Sequence, residues 1–163
     1  MRHPRTLFFG GIGCLVSGFA ASRVIRWTGS VRSARRWLAC SGFGAAALFL
    51  LISLQFKDPL WAMIAMGFAS FANDFAMPVS WTVCMDLGGR HTGTLSGVMN
   101  MLGAFAAGCA PIITGEILDR TGGNWAITFY VSAALYTLGF CCWLFLDPVT
   151  PLVPDPKPEG GLA

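Results

Sequence analysis

Few side chains in this sequence are equipped for chemistry, and they stand out against an apolar background. In FANDFAMPVSW, residues 71–81, a carboxylate (Asp74) follows an amide (Asn73) inside a run that is otherwise almost wholly apolar from Leu60 to Met85. At helical spacing Pro78 and Trp81 share the face of Asp74. A proline there removes one backbone hydrogen bond and frees a carbonyl near the acid. A second isolated polar group, Asn100, sits in the next apolar run. Counted from the shared end of the two runs at about 1.5 Å per residue, Asp74 lies about 14–18 Å in and Asn100 about 12 Å in. Two readings stay open. In one, Asp74, Trp81 and Asn100 line a solute path, with the indole as a wall and the amide as donor and acceptor. In the other, Asn73, Asp74 and Asn100 hydrogen-bond between helices and brace a kink.

Other reactive groups point away from catalysis. Cys84, Asp86 and His91 fall near one another at a helix end, but they lack the spacing of a metal site, and H-E-x-x-H is absent. They read as loop residues, with Asp86 accepting from the backbone or from Arg90. The six cysteines (Cys14, Cys40, Cys84, Cys109, Cys141, Cys142) lie in or beside apolar runs and read as small hydrophobes. No enzyme activity, metal or cofactor is expected. Glu116, Asp119 and Arg120 read as interfacial anchors.

The elements that position these groups follow from composition. The chain has 163 residues, 55% hydrophobic and 12% charged, with a mean hydropathy of +0.62; an ordinary soluble domain is about a quarter charged. An Asp at the bilayer centre costs about 2.5–3.5 kcal/mol and each Leu, Ile or Phe returns only about 0.3–0.6. Ile64, Phe68, Phe71 and Phe75 can therefore carry Asp74 into a membrane, with the acid turned toward other helices or a wet cavity. Five transmembrane helices are predicted, at about 6–25, 37–56, 60–85, 92–118 and 125–146, forming one bundle over residues 1–147. The proline-rich segment 148–163 is predicted to be a disordered tail. The basic start and apolar first run read as a retained helix, not a cleaved signal.

Of the net charge of +3, the excess is concentrated where Arg23, Arg26, Arg32, Arg35 and Arg36 crowd one connection, predicted as a polar loop from Arg26 to Arg36. That is an orientation signal, not a nucleic-acid signal. It places this end and the C-terminal tail in the cytoplasm, and leaves Arg2 and Arg5 outside, against the rule. Gly93, Gly97, Asn100, Ala104, Ala107 and Pro111 form a small-residue stripe down the fourth helix, which reads as a close-packing face.

Residues 71–123, through WTVCMDLGG, GTLSGVMNM and PIITGEILD, resemble the second half of the anion:cation symporter branch of the major facilitator superfamily, which includes hexuronate, glucarate and galactonate carriers. Upstream, GFAASRVIRWTGSVRSARR is similar to that family's link between its eighth and ninth helices. The resemblance implies an all-α polytopic membrane protein whose five spans correspond to helices eight to twelve of a twelve-helix carrier, a partial second bundle. It implies that Trp81 and Asn100 stand at the substrate cavity. Arg23 and Arg26 would stand at the basic end of a loop motif that latches the inward gate. Ser22 replaces the motif's aspartate, Ala104 replaces a common asparagine, and Asp74 matches an acidic position without an assigned role.

The implied partners are an organic anion such as a sugar acid, a coupling proton or sodium, the lipid bilayer, and a missing N-terminal half. The expected location is a bacterial inner membrane. The expected function is that of a fragment of a secondary active organic-anion transporter, inactive alone. The alternative is a small integral membrane protein that assembles with another through its glycine-rich helix faces.

Overall fold

The structure, a computed structural model, describes residues 4–151. Five α-helices follow one another: α1 (Pro4–Thr28), α2 (Val31–Ser53), α3 (Pro59–Gly88), α4 (Thr92–Arg120) and α5 (Trp125–Phe145). The fold is all-α, as the sequence implies, but several boundaries move. The polar loop predicted from Arg26 to Arg36 shrinks to Gly29 and Ser30. Gly29 takes a left-handed φ of 64°, and the Ser30 hydroxyl caps α2 by accepting from the Ser33 N–H. Hydropathy marks where lipid contact begins, whereas the cap marks where the helix begins. Arg32, Arg35 and Arg36 therefore occupy the opening turns of α2, ahead of the predicted start at 37.

At the far end of α2 the chain turns through Lys57, and Asp58 caps α3 by accepting from the Leu60 N–H at 2.9 Å, with Pro59 in the first turn. α3 continues three residues beyond the predicted Met85, to Gly88. One 3₁₀ turn, Gly89–His91, leads into α4, with Gly89 at φ 46°. The stretch from Pro59 to Arg120 has 62 residues; as one straight helix it would measure about 93 Å, three times the hydrocarbon core. It folds back instead at the Gly89–His91 turn, so that the Cys84 thiol reaches Met99 Sδ at 3.0 Å across α3 and α4. This stretch, Val31–Ser53 and Trp125–Phe145 are long and apolar enough to cross a membrane. Leu102, Phe105, Ile112, Leu135 and Leu138 are exposed, as side chains facing lipid would be.

The tightest packing joins α2 to α3. On α3 the buried residues Ala65, Ala69, Ala72, Ala76, Val79 and Val83 alternate steps of four and three, one continuous seam. Gly42 of α2 meets it so closely that a Cβ there would lie 2.8 Å from both the Ala72 carbonyl oxygen and Ala76 Cβ. Leu38, Ala39 and Cys40 join Val79, Val83 and Trp143 in the core, which draws α5 against α2.

The arginines close one end of this core. Arg35, with its side chain 13% exposed, pairs with Asp86 of α3 and donates to the Pro148 carbonyl at 2.8 Å. Arg36 donates through Nε and Nη2 to the Leu146 carbonyl at 2.9 and 2.7 Å, capping the C-terminus of α5. Arg32 pairs with Asp147 at 3.0 Å. The predicted tail therefore starts too early: Pro148 is fully buried, and residues 146–150 are tied to α2. Residues from 152 onward lie outside the described residues, as does Arg2. Trp27 and Trp37 sit at the arginine end and Trp61 and Trp125 at the other, all exposed, at the two levels where tryptophan marks membrane interfaces.

Candidate functional site

Asp74 and Trp81 lie on the side of α3 turned away from α2. Seven residues apart at about 100° each, they coincide on one face. Asp74 is two residues past the buried Ala72, hence about 200° around the helix from that seam. Both are half-buried. Small residues on one face let α2 approach, and the polar and aromatic groups are left on the other.

Pro78 lacks an N–H, so the carbonyl four residues earlier, that of Asp74, loses its helical donor. The Cys14 thiol of α1 supplies one, at 3.3 Å. The Asp74 side chain accepts from the Asn73 amide at 3.0 Å. Asn73 and Asp74 thus pair with each other within one helix. Below them Thr82 donates to the Pro78 carbonyl at 2.8 Å and Ser80 to the Ala76 carbonyl at 3.2 Å, which keeps the hydroxyls of this segment occupied locally.

Asn100 is exposed on α4 and has no hydrogen-bond partner among the described residues. From the Cys84–Met99 contact, Trp81 is three residues up α3, about 4.5 Å, and Asn100 one residue up α4, about 1.5 Å. Asp74 is ten residues up, about 15 Å. The structure therefore sets Trp81 and Asn100 at nearly one level and Asp74 well above them. The depths counted from the sequence were closer because they used helix ends as reference, and the register between α3 and α4 is reported by the sulfur contact instead.

The whole small-residue stripe of α4 is exposed: Gly93, Gly97, Asn100, Ala104, Ala107 and Pro111. A Cβ on Gly93 or Gly97 would meet nothing within 4 Å. Close packing expected on this stripe occurs at Gly42 and the α3 alanines instead. The stripe of α4 bearing Asn100 is open, whereas the side of α3 bearing Asp74 and Trp81 is half-buried and partly covered by α1, whose Cys14 reaches the Asp74 carbonyl and whose Ser17, Gly18 and Ala21 share a small cavity with Pro78.

Arg23 and Arg26 belong to the last turns of α1, not to a loop; both are exposed and neither bonds a described residue. The contacts between helices at this end are made by Arg32, Arg35 and Arg36, which the sequence marks as an orientation signal and not as helix clasps. Their signal was Asp86, whose partner proved to be Arg35 and not Arg90. Arg90 donates to His91 Nε2 at 3.3 Å. Glu116 and Arg120 pair with each other at 2.6 Å, one turn apart on the surface. All six cysteines are free thiols.

No family model matches the chain, and no solved structure matches it. Curated relatives do. The chain is 28% identical to the probable sulfoacetate transporter of Cupriavidus necator over 155 residues, 95% of this chain and 36% of the relative. It is 26% identical to the probable L-galactonate transporter of Escherichia coli, over 93% of this chain and 33% of the relative. It is 29% identical to the chloroplastic ascorbate transporter of Arabidopsis thaliana, over 78% of this chain and 23% of the relative. The chain thus spans about a third or less of the length of these relatives. With apolar helices long enough to span a bilayer and this similarity, it is an integral membrane protein, a homologue of the anion transporters of the major facilitator superfamily.

Proposed function

We propose that this chain forms part of a secondary active transporter for organic anions, of the sugar-acid or small-carboxylate class, driven by a coupling proton or sodium. The observation that carries the reading is the similarity to anion transporters along nearly the whole chain. The exposed face of α4 and the half-buried Trp81 side of α3 support it. There the Trp81 indole and the Asn100 amide lie within about 3 Å of one level. They offer N–H donors to a carboxylate without a buried countercharge. Asp74, higher on the same face, accepts from a hydroxyl of the solute.

In this reading the remaining part of the carrier packs over that face and closes the cavity, and the chain alone does not transport. Six arginines stand at one end of the helices against Asp86 and Asp147, while Arg5, Lys57 and Arg120 stand at the other against Asp58, Glu116 and Asp119. We place the arginine end and the C-terminal tail in the cytoplasm on that bias, in a bacterial inner membrane. The exposed α4 stripe also favours a second reading, a small membrane protein that assembles with another through this helix.

The test is uptake of labelled sugar acid by a carrier completed with the missing spans. Trp81→Ala and Asn100→Ala should each reduce uptake at least about tenfold, as expected when a positioned hydrogen bond or wall is lost, and Glu116→Gln should leave it intact. Undiminished uptake in both cavity variants removes the site assignment. Saturable uptake by the isolated chain in proteoliposomes contradicts the partial-carrier reading.

A further inference from the structure

A groove of about 470 Å³ runs between α2 and α5 at the arginine end, away from the Asp74 side of α3. Its walls are one face of α2, from Ser33 and Arg36 through Trp37 and Cys40 to Ser41, with Phe140 and Leu144 one turn apart on α5. Ser33 and Arg36 lie nearest the helix terminus; deeper in, Ser41 spends its hydroxyl on the Leu38 carbonyl at 2.9 Å, and the rest of the lining is apolar. Trp37 is 68% exposed and Leu144 47%, so the groove opens sideways, toward the region that acyl chains fill.

Arg36 spends Nε and one Nη2 hydrogen on the Leu146 carbonyl, which leaves three of its five N–H donors directed elsewhere. It pairs with no acid among the described residues, whereas Arg32 and Arg35 are matched by Asp147 and Asp86. The Ser33 hydroxyl also has no described partner. Over the whole end, six arginines against two aspartates leave an excess of four positive charges. A groove with uncommitted cationic donors at the interface level and an apolar length below them matches one ligand in both parts, an amphiphile with an anionic head.

We propose that the α2–α5 groove binds an anionic phospholipid, with Arg36 and Ser33 on its phosphate and Trp37, Phe140 and Leu144 along the upper part of one acyl chain. The site is separate from the solute face and does not depend on the transport reading. Its lipid ties α2 to α5 at the point where Arg36 already caps α5.

The test is native mass spectrometry of the full chain in detergent with equimolar phosphatidylglycerol and phosphatidylcholine. About fivefold more phosphatidylglycerol should be retained, the preference expected from about one uncommitted arginine at a membrane surface. Ser33→Glu places a negative charge where the phosphate sits, yet completes a capping box with Ser30, so α2 stays folded. It should bring the preference to about one, with unchanged helicity by circular dichroism. Leu144→Trp fills the apolar part and should lower retention of both lipids. Equal retention by the unaltered chain overturns the proposal, as does a preference unmoved by both variants. Displacement of phosphatidylglycerol by inorganic phosphate at millimolar concentration overturns it too, because the groove would then hold a headgroup alone.

Discussion

Gly42 supplies the sharpest test of how this bundle is held. A methyl group added there would lie 2.8 Å from the Ala72 carbonyl oxygen and 2.8 Å from Ala76 Cβ. Carbon atoms in good contact stand about 3.5–4.0 Å apart, so α2 and α3 must separate by roughly 0.7 Å or more. One obstructing atom is backbone and cannot rotate aside, and the seam that opens runs the length of Ala65 to Val83. Overpacking of this kind costs about 1–3 kcal/mol. Replacing glycine within a helix returns about 0.8–1.0 kcal/mol, so Gly42→Ala should destabilise by about 1 kcal/mol and Gly42→Val by more. Gly97→Ala on α4 is the control, because its new Cβ meets nothing within 4 Å. Only the propensity gain applies there, and that variant should be slightly more stable. The two alanine variants should differ by about 2 kcal/mol, near thirtyfold in the unfolding equilibrium. Unfolding by a denaturing detergent, followed by circular dichroism, reads the difference. Gly42→Ala as stable as Gly97→Ala would refute the close α2–α3 seam.

Two further outcomes follow from the arginine end. Asp86→Ala strands Arg35, whose side chain is only 13% exposed, and should cost about 1–2 kcal/mol, discounted because Asp86 itself is half exposed. Glu116→Ala removes a fully surface pair, 78% and 60% exposed, and should cost well under about 1 kcal/mol in the same unfolding assay; equal costs would contradict the clasp. The Asp147 carboxyl is held below its usual range first by the Thr150 hydroxyl, with slight desolvation opposing and the Val149 N–H and Arg32 assisting. A depressed folded value favours the ionised form, so anchoring of residues 146–150 is complete above the ordinary carboxylate range and is lost as pH falls through the lowered value. A spin label on Val149→Cys should stay immobile from neutral pH to about 4 and loosen below it. Asp147→Asn should loosen it at every pH, and mobility independent of both would contradict the anchoring.

The helices were legible because their apolar runs and caps lie within short stretches of chain. Asp58 before Pro59 and the polar break at Gly122 to Asn124 announce their own turns. The start of α2 was not read from Ser30 because five arginines nearby looked like a loop, although arginine is a good helix former and a serine three residues before a helical N–H is a cap. The α4 glycines drew attention as a packing face, whereas the seam that packs is made of alanines at four-and-three spacing, equally visible in the sequence. Partners distant in the chain were the least legible. Pro78 announces a freed carbonyl near Asp74, but nothing in the local sequence identifies Cys14, sixty residues away, as the group that satisfies it. For Asp86 the sequence offers near partners, the backbone or Arg90 four residues on; the fold brings Arg35 to it across 51 residues. The level of Asn100 against Asp74 depends on the α3–α4 register, which the Cys84–Met99 contact reports.

The central physical claim is that α3 is two-sided: a seam of small residues against α2, and Asp74 with Trp81 on the opposite side, half-buried and partly covered by α1. Cysteine placed singly at positions 72 to 84 of a cysteine-free variant, labelled in native membranes with a water-soluble maleimide, addresses it directly. Labelling should be measurable at 74 and 81 and absent at 72, 76 and 79. Reactive positions at 72, 76 and 79, or protection at both 74 and 81, would contradict the claim.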